Sequence, residues 1–265
     1  MTYSNDMLTL STSNLLAQKP YTKIRKDVEQ GPLLALEHRI SMFRQQLVKN
    51  NSDILLFQEV DENWEKVLYE FSETQGYVLL IKPCRNFKIA IAYKSDRFQG
   101  CPFEKHHPEA GIYSVSLLDR LQNKHIKVVN IHADWGKAEC FSDAFTDLFQ
   151  VDDEPIIIAG DFNLDSLDPV SKNGNKAFFE DLIAKYAYMD LTSGLPFTAK
   201  YVKDATKDVK IDLVLTKNTT PSEIASMDPK SFNKLLPHTK DHLFNTKDSN
   251  NHYSDHALIT VSVHY

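Results

Sequence analysis

The stretch Pro155-Ile156-Ile157-Ile158-Ala159-Gly160-Asp161-Phe162-Asn163 decides how the chain folds, because a short apolar run ends by delivering an acid and a carboxamide. It reads as a buried strand. On an extended chain, residues two apart project from the same side of the pleat. Asp161 and Asn163 are therefore expected to point together into whatever lies at the strand's C-terminal mouth. There they can orient a water or a hydrated cation, or grip an anionic oxygen. The same tetrapeptide also makes an Asx-type turn leaving a strand, and that plainer reading stands until other residues agree.

Further polar residues stand at the ends of apolar strands. Asp53-Ile54-Leu55-Leu56-Phe57 runs into Gln58-Glu59, and Lys127-Val128-Val129-Asn130-Ile131 runs into His132. Asp212 is expected inside a strand over 210–216, and Ser254-Asp255-His256 opens a final strand over 257–264. Near the N-terminus, Leu8-Thr9-Leu10-Ser11-Thr12-Ser13 leads to Asn14. Acids and amides inside β-rich apolar stretches are costly unless paired or bound to a metal. One is noise; a series of them in order along one chain is a site.

That ordered set resembles the endonuclease/exonuclease/phosphatase superfamily, also called DNase-I-like, over nearly the whole chain. Gln-Glu and Ser-Asp-His are weak motifs alone, and the specificity lies in their order and spacing. The resemblance implies an α/β (α+β) fold, a four-layer α/β/β/α sandwich of two mixed β-sheets flanked by helices. It also implies a hydrolase of phosphoester bonds that depends on Mg²⁺, with Mn²⁺ able to substitute.

The 265 residues suit one substantial core. No Pro/Gly/Ser-rich linker and no internal repeat divides them, so a single catalytic domain over 1–265 is expected. The net charge of −6 and pI near 5.9 argue against binding long duplex nucleic acid through a broad basic face. Cys84, Cys101 and Cys140 form no close pairs of the zinc or disulfide kind, which makes a reducing compartment the default. Residues 1–6 lack a signal-peptide pattern, and no apolar stretch approaches the roughly 18 residues that span a bilayer. A cytoplasmic monomer is expected.

Leu36, Ile40, Phe43 and Leu47 recur at helical spacing and predict a helix over 33–49 with Pro32 in its first turn. Further helices are predicted over 61–71, closed near Gly76, and over 138–149 and 175–186. Strands are predicted at 77–81, 88–93, 112–118 and 126–131, besides those named above. The segment 217–251, with Pro221, Pro229 and Pro237, reads as an irregular surface loop with a short helix, or as a substrate-facing lid.

Phosphoester hydrolysis needs a nucleophilic water, neutralised phosphoryl charge and help for the leaving oxygen. Hard divalent ions prefer carboxylate and water oxygens. Glu59 is the expected primary metal ligand, with Asn14 and Asp255 completing its surroundings. Asp161 is expected to orient or deprotonate the attacking water, and Asn163 to hold a phosphoryl oxygen. If two ions bind, both residues would touch the second, and the sequence does not separate these roles. His256 and Asp212 form an expected histidine–carboxylate pair, in which the acid fixes the imidazole tautomer and favours imidazolium. His132 would be a further donor to the scissile phosphate. His38, His106, His107, His125 and His242 read as surface residues.

The segment Asn130-Ile131-His132-Ala133-Asp134-Trp135 is similar to the branch holding deadenylases, nocturnin-like enzymes, inositol-phosphate phosphatases and sphingomyelinases. Abasic-site endonucleases usually carry an acid two residues after the position of Asn14, where this chain has Leu16; DNA repair is disfavoured. The loop after Asn14 holds Lys19, Tyr21, Lys23, Arg25 and Lys26. Lys23, Arg25, Lys26 and Tyr21 are the expected substrate contacts, suited to the phosphates and a stacked base of a single strand or nucleotide. The same cluster could serve an inositol phosphate or an anionic membrane, or be merely solvated. A phosphoinositide phosphatase or sphingomyelinase-type phosphodiesterase is the alternative function. Every main position carries a chemically competent residue, which argues against a catalytically dead scaffold.

Overall fold

The computed structural model describes residues 7–15, 17, 36–133, 138–149, 153–164, 175–195, 198–200, 208–227 and 256–265. The chain begins with β1 (Leu8–Asn14), α1 (Leu36–Asn50), β2 (Ile54–Val60) and α2 (Glu62–Gln75). It continues through β3 (Tyr77–Cys84), β4 (Phe87–Lys94), β5 (Phe98–His107), β6 (Ile112–Asp119) and β7 (Lys124–His132). Next come α3 (Ala138–Phe149), β8 (Ile156–Asp161), α4 (Asn175–Lys185) and the short strands β9 (Met189–Asp190), β10 (Ala199–Lys200) and β11 (Asp208–Val209). The last three strands are β12 (Asp212–Lys217), β13 (Thr220–Met227) and β14 (Ile259–His264). One six-stranded sheet has the order β13-β14-β1-β2-β4-β3, the other β5-β6-β7-β8-β12-β9. Each holds one parallel pair, β1 with β2 and β7 with β8.

Strand alternation builds the layers. In β2, Ile54 and Leu56 face the apolar core between the sheets, while Leu55 and Phe57 face α1 and α2 with Phe43, Leu47, Trp64 and Phe71. In β8, Ile157 and Ala159 join the central core, and Ile156 and Ile158 join Phe145, Leu148 and Phe179 from α3 and α4. A strand buried on both faces has no polar face to show, which is why these segments read as continuous apolar runs. The predicted four-layer sandwich is the observed fold. Asp61 caps α2 by accepting from the backbone N–H of Asn63 and Trp64, and Gly76 closes it in the left-handed conformation at φ 73°. Among the described residues no helix is long and apolar enough to cross a membrane.

The structure differs from the sequence reading at the sheet edges. Thr220–Met227 is a strand, not the irregular loop expected from 217 onward, and it lies on an edge with two register shifts against β14. An edge tolerates Pro221, since the missing N–H need not join a ladder. The edge strand β5 was unforeseen, with Gly100, Pro102 and a register shift masking its period. Asp212 opens β12 instead of lying inside a 210–216 strand, because Asp208–Val209 pairs separately with β10. Pro32 and the segment 228–251 lie outside the described residues.

At one end of the sandwich, both sheets are pinned through Arg97. Its Nε and Nη2 donate to Asp119 Oδ2 at 2.9 and 2.7 Å, and its Nη1 donates to Asp53 Oδ2 at 2.9 Å. The Tyr265 hydroxyl also donates to Asp119 Oδ2, at 2.7 Å. Burial alone would raise the Asp119 carboxyl, but hydrogen bonds from Arg97, Tyr265 and the Leu121 N–H outweigh it and hold it below its ordinary range. Asp119→Ala is therefore expected to cost about 3–5 kcal/mol, the scale for removing one partner of a buried pair. The folded carboxyl titrates lower than the unfolded one. The contribution is thus complete above about pH 4 and is lost as pH falls through the depressed folded value. Melting curves of wild type and variant should converge in acid.

Candidate active site at the shared strand ends

The two parallel pairs bring four strand C-termini to one rim, and the register does the rest. Asn14 pairs with Gln58, His132 with Asp161, and Asp212 with Asp161. Asn14, Glu59, His132, Asp161 and Asp212 therefore meet without any long loop reaching inward. His256 reaches them from just ahead of β14, held by the Ala257 N–H donating to Thr198 O at 2.9 Å.

One amide nitrogen organises the acids. Asn14 Nδ2 donates to Glu59 Oε1 at 3.0 Å and to Asp161 Oδ2 at 3.0 Å. The Ala17 N–H donates to the second Glu59 oxygen at 3.2 Å. His132 Nε2 stands 3.6 Å from Glu59 Oε1 and 3.9 Å from Asp161 Oδ2. His256 Nε2 also stands 3.9 Å from Asp161 Oδ2, while its Nδ1 contacts both Asp212 oxygens at 2.9 and 3.0 Å. A carboxylate only accepts, so Nδ1 carries the proton and Nε2 is the atom turned toward Asp161. Ligand atoms of Asp161, Asp212 and His256 all lie within 4.8 Å of one another.

Two of these residues have unusual backbones. Glu59 has φ 54°, at a break in the β2–β4 register between Phe57 and Val60. A non-glycine residue there carries strain of roughly 1–3 kcal/mol, commonly where function fixes the conformation. The expectation that Asp161 and Asn163 share one pleated face is corrected: β8 ends at Asp161, and Asn163 has φ 50°. The Asx turn forms, with the Asn163 N–H donating to Asp161 Oδ1 at 2.8 Å. Asn163 Nδ2 then donates to Ala133 O at 3.0 Å. Turn and site are the same feature. Gly160 is required here, because a Cβ would lie 2.1 Å from Ile131 O.

Three supporting residues escaped the sequence reading. Buried Thr198 accepts through Oγ1 from the N–H groups of Ile211 and Asp212, at 3.0 and 2.9 Å, and so fixes the Asp212 carboxylate. Buried Arg39 donates to Leu15 O at 2.7 Å, steadying the chain just after Asn14. Arg85 donates to His132 O at 2.6 Å from the β3–β4 turn. No pattern marks Thr198 or Arg39, whereas a bulky cation in a tight turn was a visible oddity at Arg85. Asp255, Tyr21, Lys23, Arg25 and Lys26 lie outside the described residues.

Burial pushes the Asp161 carboxyl up; His256, His132 and the Asn14 hydrogen bond oppose this, and the Asp212 charge adds to it. Among the described residues no lysine or arginine pairs with Glu59 or Asp161. Among the described residues the site is thus a cluster of carboxylate and amide oxygens flanked by two histidines.

The profile of the endonuclease/exonuclease/phosphatase family matches residues 11–256. No curated protein sequence matches the chain. Among solved structures, an endonuclease/exonuclease/phosphatase from Bacteroides vulgatus superposes with a TM-score of 0.68 at 13% identity, covering 97% of this chain and 98% of that one. The human Nocturnin catalytic domain with bound sulfate gives 0.64 at 14%, covering 97% and 94%. ANGEL2, described as a 2′,3′-cyclic phosphatase and bound to adenosine-2′,3′-vanadate, gives 0.65 at 14%, covering 97% and 95%. Likeness at such identities establishes the fold.

Asp161→Asn should raise the melting temperature of protein held in a chelator. Folding disfavours the ionised carboxylate, so removing its charge relieves a penalty that grows as pH rises past the ordinary carboxylate value, is complete above the raised folded value and is absent in acid below both. A variant melting below wild type at neutral pH would contradict this account.

Proposed function

The chain belongs to the endonuclease/exonuclease/phosphatase family, whose members hydrolyse phosphoester bonds, and from that premise we propose a divalent-metal-dependent phosphodiesterase or nuclease acting on single-stranded nucleic acid or nucleotides. The observation that carries the reading is the double grip of Asn14 on Glu59 and Asp161, two acids from different sheets held on one amide. Such a donor set fits Mg²⁺, which favours one or two carboxylates and keeps its waters. Glu59 would hold the ion with Asn14, and Asp255 is assigned beside them. The ion supplies charge neutralisation at the phosphoryl oxygens and a more acidic water. Asp212 is less suited to ligation, since both its oxygens are engaged by His256.

The protein groups divide the remaining work. Asp161 orients the attacking water and accepts its proton, a role that burial favours by raising its basicity. His256, kept cationic by Asp212, donates from Nε2 to a non-bridging oxygen as negative charge grows there. His132 donates to the same phosphate from the Glu59 side, and Asn163 binds a further phosphoryl oxygen. The substrate class rests on Tyr21, Lys23, Arg25 and Lys26, which follow the strand that delivers Asn14. The structural likeness to ANGEL2, which is bound to adenosine-2′,3′-vanadate, supports it. The site residues run from Asn14 to His256, so we treat the chain as one catalytic domain, working as a cytoplasmic monomer.

Turnover should require added Mg²⁺ or Mn²⁺ and stop in excess EDTA, with Ca²⁺ supporting it poorly. Glu59→Ala, Asp161→Ala and His256→Ala should each lose at least about 10²-fold in kcat while remaining folded. The test is a panel of single-stranded RNA, poly(A), DNA, nucleotides, phosphoinositides and sphingomyelin, with Asp161→Ala as control.

Neutralising Lys23, Arg25 and Lys26 together should raise KM for a single strand and leave kcat nearly unchanged, less so as salt rises. Loss of phosphoinositide hydrolysis or vesicle binding alone would move the substrate to lipid.

A further inference from the structure

Directly beneath the site, two amides cross the apolar core between the sheets. Gln58 on β2 and Asn130 on β7 are both fully buried. Gln58 Nε2 donates to Asn130 Oδ1 at 2.7 Å and to Thr12 Oγ1 at 3.1 Å. Asn130 Nδ2 donates back across the gap, to Phe57 O at 3.0 Å and Ala90 O at 2.7 Å. Those carbonyls belong to the last regular pair, Phe57 with Ala90, before the β2–β4 register breaks and Glu59 takes its left-handed backbone. Gln58 is the residue before Glu59, and Asn130 is two before His132 on the same strand.

The pair also occupies a space that the missing side chain of Gly160 in β8 leaves for it. A Cβ on Gly160 would stand 3.0 Å from Gln58 Nε2 as well as against Ile131 O. Three strand ends that carry Glu59, His132 and Asp161 thus converge on one amide–amide bond. Its cost is visible, because among the described residues no hydrogen-bond partner meets the buried Gln58 Oε1. Filling the interface between two sheets with apolar side chains would avoid that orphan, so stability alone does not account for it.

We propose that Gln58 and Asn130 are positioning residues, whose mutual hydrogen bond sets the spacing across the two sheets between Glu59 on one side and His132 and Asp161 on the other. They touch neither substrate nor ion; they fix the width of the cleft that receives both. This rests on the reading of the site as a divalent-metal centre.

The test is Mn²⁺ binding, followed by electron paramagnetic resonance without substrate, together with thermal melts in EDTA. Gln58→Met keeps length and volume while deleting both donors and the orphan acceptor. Asn130→Ser is the second variant. Each is expected to fold, with Gln58→Met melting close to wild type, and to bind Mn²⁺ about 10- to 100-fold more weakly, the scale for removing groups that orient ligands. Wild-type affinity in both folded variants overturns the inference alone. Failure of both variants to fold also overturns it, because the pair would then serve the fold and not the site. Wild-type protein that binds no Mn²⁺ overturns the metal-centre reading and this inference with it.

Discussion

Asn14 holds two carboxylates on one nitrogen, and the architecture can be understood from that constraint. Glu59 belongs to one sheet and Asp161 to the other, so their approach is a statement about how the sheets are packed. Brought so close in a buried setting, two acids repel each other, and only a donor between them or a cation beside them makes the arrangement tolerable. Asn14 contributes a donor but no charge. His132 and His256 flank the pair at 3.6–3.9 Å, close enough to respond to it and too far to be satisfied by it. Among the described residues neither acid gains a lysine or arginine partner.

Backbone strain collects at the same place. The left-handed backbones of Glu59 and Asn163 lie on either side of the carboxylate pair. At Glu59 this interrupts the β2 register, and at Asn163 it follows directly on the end of β8. A regular β2 would carry Glu59 straight on beyond the break in its ladder with β4. Thr198 serves the same end on the third side, because its hydroxyl receives the two N–H groups that lead into β12 and so aims Asp212 at His256.

Much of this was legible in the chain, for a physical reason. The central strands are buried on both faces, so a polar residue at their ends stands against a uniformly apolar background, as Glu59, His132 and Asp161 do. The layers followed from the same runs, with the two faces of 54–57 and of 156–159 feeding different cores. Edge strands gave no such contrast. β5 and β13 contain proline or glycine, carry register shifts and need only one buried face, so their periodicity is weak. The Asn163 geometry was misread because alternation along a strand says nothing about where the strand stops. Thr198 and Arg39 act on backbone groups brought near by folding, and a lone threonine or arginine carries no sign of that.

The two ends of the sandwich have opposite electrostatic characters, and the contrast is an argument about division of labour. At the Arg97 end, the guanidinium donates to both Asp119 and Asp53, and the Asp119 carboxyl is held low. At the Asn14 end the acids accept from an amide and from backbone N–H groups, and burial pushes the Asp161 carboxyl up. Both ends are tied to β2, since Asp53 immediately precedes it and Glu59 lies near its other end. A strand anchored firmly at one end can carry an acid in a strained backbone at the other, provided nothing between them lets the sheets slide. The apolar core resists that only weakly, because dispersion contacts are non-directional. The hydrogen bond from Gln58 to Asn130 is directional and crosses the gap one residue below Glu59. It converts the rigidity of the anchored end into a fixed spacing at the charged one, which a cation-binding cleft requires.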